Sequence, residues 1–182
     1  MPRNTKPDPI VQRYVDYLNR LFNSTISQSR LVFLERAGEL RLITRYQAAQ
    51  IFPLELRPEG YLHLLQLVRR VRNHVEVQEA RYVFSESDNP DDETAWIWRY
   101  DYERQPQPGK PQSHFHINAE RHGMSLKHVH FPTGRISIEQ IIAHLVTEYN
   151  VTSDHPNTFD FLRESHRGFL ARRTDIQTDA FP

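Results

Sequence analysis

Trp96-Ile97-Trp98-Arg99-Tyr100-Asp101-Tyr102 sets a large aromatic ring at every second position, with aliphatic or charged residues between. A helix would spread those rings around its circumference, whereas a strand gathers them on one side. The stretch predicts a β-strand over Thr94–Glu103, with an aromatic side for a core and Ile97, Arg99 and Asp101 on the reverse. Upstream, the acidic turn Ser87-Asp88-Asn89-Pro90-Asp91-Asp92 makes this strand the second arm of a hairpin whose first arm is Val75–Ser85. Residues 29–46 read as two more strands around Ala37-Gly38, carrying Leu31 and Phe33, then Leu40, Leu42 and Tyr46. Residues 61–72 fit two patterns. Tyr61, Leu64, Leu65, Val68 and Val71 have helical spacing, while Leu62, Leu64 and Val68 also suit a strand.

Helical signals lie outside this region. Ile10, Val11, Tyr14, Val15, Leu18, Leu21 and Phe22 repeat at helical spacing after Asp8-Pro9, a cap followed by a first-turn proline. Ser137 with Gln140 three residues on makes a capping box. It precedes an apolar stripe of Ile138, Ile141, Ile142, Leu145, Val146 and Tyr149, with Asn150 as the stop. A last helix is expected over 157–172, with Phe159, Leu162 and Phe169 inward. The fold class is therefore α+β: an antiparallel β-sheet meander flanked by an N-terminal helix and C-terminal helices. One domain is expected over 1–182, with a flexible lead at 1–9, the sheet core and capped helix within 26–150, and a flexible tail at 174–182.

Composition narrows the chemistry. A hydrophobic fraction of 38% is modest, but 10 Phe, 8 Tyr and 2 Trp supply large buried areas. Acidic and basic residues balance at 23 each, which provides no global steering toward nucleic acid or anionic lipid. Cysteine is absent, so disulfides, thiolate metal sites and cysteine nucleophiles are excluded and any metal needs His, Asp or Glu. Met1-Pro2-Arg3-Asn4 opens no signal-like apolar region and no stretch has the length to span a bilayer, so the expected location is a bacterial cytoplasm without membrane association.

The chemically distinctive segment is His114-Phe115-His116-Ile117-Asn118, followed by Leu126-Lys127-His128-Val129-His130-Phe131. If both runs are strands, each places its histidines on one face and its apolar residues on the other. Burying Phe115, Ile117, Val129 and Phe131 together requires even positions to pair with even ones. A turn at His122-Gly123 achieves this, setting His116 opposite His128 and His114 opposite His130. Isolated histidines are ordinarily surface or core residues, and His63, His74, His144, His155 and His166 are read that way.

A four-imidazole face admits three functions. The first is metal-independent RNA cleavage, in which His114, His116, His128 and His130 act as acid and base while Arg99, Lys127 or Arg135 stabilises phosphoryl charge and Tyr100 stacks a base. The second is binding of a divalent transition metal such as zinc or nickel by the same four histidines, in a metal-binding protein or metalloenzyme. His114-x-His116-x3-Glu120 looks like the first cupin metal motif, but the second motif of that family is not reproduced. The third is a protein-interaction module without catalysis. Gly134-Arg135, before the Ser137 cap, and the basic runs Arg69-Arg70-Val71-Arg72 and Arg172-Arg173 read primarily as a connector and as solvated faces.

Tyr82-Val83-Phe84, the acidic turn, Trp98-Arg99-Tyr100-Asp101 and Pro111-Gln112-Ser113-His114-Phe115-His116 together resemble the core of the TumE-like toxins of bacterial toxin–antitoxin systems. The resemblance covers about residues 80–131. It departs from the family pattern at Tyr102-Glu103 and Gln112. It implies a toxin-like component, an antitoxin protein or RNA as partner, and a strand at 61–72. It marks Arg99, Asp101, His114 and His116, so that Asp101 joins Tyr100, Lys127 and Arg135 in the expected substrate-binding set.

Overall fold

A computed structural model describes residues 8–36, 39–44, 46–47, 50–51, 53–119, 126 and 129–172. The first helix, α1 (Pro9–Asn23), starts where Asp8 accepts a hydrogen bond from the Ile10 N–H at 2.8 Å and Pro9 occupies the first turn. Pro9 thus belongs to the helix rather than to a flexible lead. Residues 1–7 of that lead and the expected tail at 174–182 lie outside the described residues.

Strands β1 (Leu31–Arg36), β2 (Glu39–Thr44), β5 (Leu54–Glu55), β6 (Tyr61–Val71), β7 (His74–Ser85), β8 (Trp96–Glu103), β9 (Ser113–Ile117) and β10 (Phe131–Pro132) form one antiparallel sheet. Its order is β1-β2-β6-β7-β8-β9-β10, with β5 also on β6. A short separate ladder joins β3 (Tyr46–Gln47) and β4 (Gln50–Ile51). The ambiguous segment is strand β6 because β2 and β7 take up its backbone hydrogen bonds on both edges. Tyr46, expected in the second strand of 29–46, lies in the separate β3, and the short pairings β4 and β5 carry no periodic apolar signal.

Register sorts the side chains into two faces. Leu62, Phe84 and Trp98 form one cross-strand row; Leu64, Tyr82, Tyr100 and Phe115 form the next; Gln66, Ala80, Tyr102 and Ser113 form a third. These rows meet α1, α2 (Ile138–Glu148) and α3 (Thr158–Arg172) in one hydrophobic cluster. Tyr82 and Tyr100 stack with ring centroids 5.8 Å apart, and Trp98 stacks on Phe115 at 5.5 Å. Each such ring pair adds about 0.5–1.5 kcal/mol beyond the area it buries.

The capping box on α2 is closed: Ser137 Oγ accepts from Gln140 N at 3.2 Å, and Gln140 Oε1 accepts from Ser137 N at 3.0 Å. Asn150 adopts a positive φ of 53° just beyond the helix, as a stop residue should. In α3, Leu162 is buried as expected, but Phe159 faces solvent while Phe161 packs on the core. Among the described residues, no helix is long and apolar enough to cross a membrane.

Candidate metal centre

The second face of the sheet carries the charged and histidine residues. One cross-strand row is His63, Val83, Arg99 and His116; its neighbour is Leu65, Arg81, Asp101 and His114. Strand β8 therefore presents aromatic rings to the core and Arg99 and Asp101 to the opposite side. β9 brings His114 and His116 alongside them.

His130, the residue just before β10, supplies the third imidazole. Phe131 pairs with Phe115 and Pro132 with His114. Continued by one residue, this register sets His130 opposite His116. The ring centroids lie 4.9 Å apart for His114–His116, 4.6 Å for His114–His130 and 4.7 Å for His116–His130. One nitrogen from each ring falls within 4.8 Å of the other two. Zinc bound at about 2.0–2.1 Å to each nitrogen needs tetrahedral edges of about 3.4 Å. Closing the difference takes modest side-chain rotation, to which the exposed His130 is best suited.

The surroundings favour neutral imidazoles. His114 and His116 are 6% and 2% exposed. Burial pushes both below the ordinary histidine range, and His116 falls to about 4, with the nearby Arg99 charge as the next cause. A neutral imidazole is the form that ligates metal. Among the described residues, neither buried ring nitrogen of His116 has a hydrogen-bond partner, an unusual state for an interior polar group.

Asp101 anchors the other side of the cluster. Its Oδ1 accepts from Arg81 Nε at 2.8 Å. Its Oδ2 makes an ionic contact of 2.7 Å with Arg99 Nε, although that N–H is not aligned on the oxygen for a hydrogen bond. The same Oδ2 lies 3.7 Å from His114 Nε2 and 3.5 Å from His116 Nε2. Both separations are too long for good hydrogen bonds but close to the tetrahedral edge around zinc.

The histidine pairing differs from the expected one by two residues: His116 faces His130, and Pro132 takes the place opposite His114. Parity survives such a shift, so the imidazoles still share a face. His128 and Lys127 lie outside the described residues. Of the four apolar residues expected to enter the core, only Phe115 packs against it. Ile117, Val129 and Phe131 are 41%, 39% and 39% exposed, at the β9–β10 end of the sheet.

Tyr100 and Arg135 are not at the histidine cluster. Tyr100 alternates away from Arg99 and Asp101 into the core, where its hydroxyl accepts from Ile136 N at 2.9 Å. Arg135 stacks over Tyr102 at 4.5 Å on that same helix-covered side. Arg81 was not singled out from sequence, although its alternation with Tyr82 placed it on the face of Asp101.

The isolated histidines have local roles. His63 Nε2 pairs with Ser87 O at 3.0 Å, His144 packs on Trp98 and Tyr149, and His166 Nδ1 pairs with Ser137 Oγ at 2.9 Å. His74 lies beside Glu76, and His155 stacks on Phe161. Comparison with protein-family models, curated proteins and solved structures returned no match.

Proposed function

We propose that this protein binds a first-row divalent transition metal, with zinc the best fit, through His114, His116 and His130. The observation that carries this reading is the convergence of three imidazole nitrogens within 4.8 Å around a His116 that is buried with neither ring nitrogen partnered. An all-nitrogen set favours zinc, nickel, copper or iron over magnesium and calcium. Asp101 Oδ2 lies beside His114 Nε2 and His116 Nε2 but outside the group of three nitrogens, where it can orient those two rings. Three histidines with a further position beside them form a donor set suited to a metalloenzyme as well as to a structural site.

The toxin-like ribonuclease suggested by the sequence resemblance would draw on the same histidines. Its metal-independent form needs one imidazolium as acid near neutral pH. Burial and Arg99 oppose that form at His116, so the metal reading has the stronger physical support. Purification without a histidine tag, followed by elemental analysis, tests it. About one equivalent of zinc, nickel or iron per chain is expected. Protein that emerges metal-free and fails to take up zinc in equilibrium dialysis would overturn the assignment.

A further inference from the structure

The charges nearest the histidines do not balance once a metal is present. Imidazole ligands are neutral when they coordinate. Asp101 contributes one negative charge, and Arg81 and Arg99 contribute two positive ones through their contacts with it. These nearest groups sum to about +1, or about +3 with a divalent ion, while Glu79 and Glu103 in the next cross-strand row of the same face bring the wider face to about −1, or about +1 with the ion. His114, His116 and Asp101 at its centre are each at most 6% exposed. Arg81 is 55% exposed and Arg99 32%, so water screens the guanidinium charges, but a metal beside the buried histidines still gains from an accompanying anion.

Arg99 is placed to share that anion. It lies directly across from His116 in the β8–β9 register, and its side chain is 32% exposed, so its outer guanidinium edge reaches solvent while Nε faces Asp101. Its guanidinium carbon rests 5.9 Å from the centre of the Trp96 ring, which limits its swing. Arg81 holds the other carboxylate oxygen of Asp101 and keeps the acid in place if Arg99 turns partly toward a ligand. A planar guanidinium beside a metal suits an oxyanion, which accepts two hydrogen bonds while giving an oxygen to the metal.

We infer that the site takes an oxyanion group, a phosphate ester or a carboxylate, bridged between the metal held by His114, His116 and His130 and the guanidinium of Arg99. This inference rests on the metal reading, and the test separates the two. Cobalt(II) is added to metal-free, tag-free full-length protein, and its visible absorption is followed during titration with inorganic phosphate and, separately, acetate. A cobalt spectrum that changes saturably with at least one anion is expected. Arg99→Gln should keep the cobalt spectrum and bind that anion at least tenfold more weakly. Tighter binding of phosphate assigns the site to phosphoryl groups, and tighter binding of acetate to carboxylates. A normal cobalt spectrum unmoved by both anions, or an equal response in Arg99→Gln, overturns the inference alone. Absence of cobalt binding overturns the metal reading beneath it.

Discussion

Zinc added to metal-free protein should raise its melting temperature, and His116→Ala should abolish most of that rise. A ligand at 100 times its dissociation constant that binds only the folded state stabilises it by about 2.7 kcal/mol. Unfolding entropy of about 2.1 cal/mol/K per residue gives about 0.38 kcal/mol/K for this chain of 182 residues. The expected rise is therefore about 7 °C. His116→Ala leaves two imidazoles, and at the same zinc concentration its shift should fall below about 2 °C. His116 is 2% exposed, so its replacement also opens a small cavity. His130→Ala removes a donor from the exposed side and serves as the companion variant that leaves the core untouched. Differential scanning fluorimetry with zinc, nickel and magnesium reads all three proteins, and magnesium should produce no shift. A wild-type curve unmoved by zinc and nickel, or equal zinc shifts in wild type and both variants, would refute the reasoning.

Two further outcomes follow from the same face. Asp101→Asn leaves Arg81 and Arg99 facing each other without their shared carboxylate and should lower stability by about 1–3 kcal/mol, read as a reduced urea midpoint; an unchanged midpoint would show that the pairings are screened to insignificance. For metal-free protein, His116 titrates near 4 when folded, against an unfolded value near 6.5. The unfolded chain then binds the extra proton, so stability should fall by about 2–3 kcal/mol as pH drops from 6.5 toward 4. His116→Ala should make the pH dependence of the urea midpoint shallower across that window, leaving the part due to His114, and an equally steep slope in the variant would contradict the assignment.

The alternation in Trp96–Tyr102 contained both the sheet and the separation of core from site. Tyr100 could not share a face with Arg99 and Asp101, so its placement with the substrate-binding residues already conflicted with the strand reading. The capping box at Ser137 and the cap at Asp8 were readable because each satisfies backbone donors locally. The register between β9 and β10 was not. Two-residue shifts preserve the face of every side chain, so hydrophobic patterning alone does not distinguish them. The salt bridge from Arg81 to Asp101 depends on the pairing of β7 with β8, which joins residues twenty positions apart. Phe159 faces solvent and Phe161, to which the sequence reading gave no role, packs on the core, because an isolated helical ring says little about which neighbour covers it.

Strand β8 serves two masters, with Trp98, Tyr100 and Tyr102 anchoring the interior while Arg99 and Asp101 stand against the imidazoles. Slipping its pairing by a single residue would drive two charges into the interior and turn the rings out, an arrangement the chain could not tolerate. Proofreading of the histidine centre is thereby delegated to folding itself: a molecule that has assembled its interior has already oriented Arg99 and Asp101 toward the place where a metal would lie.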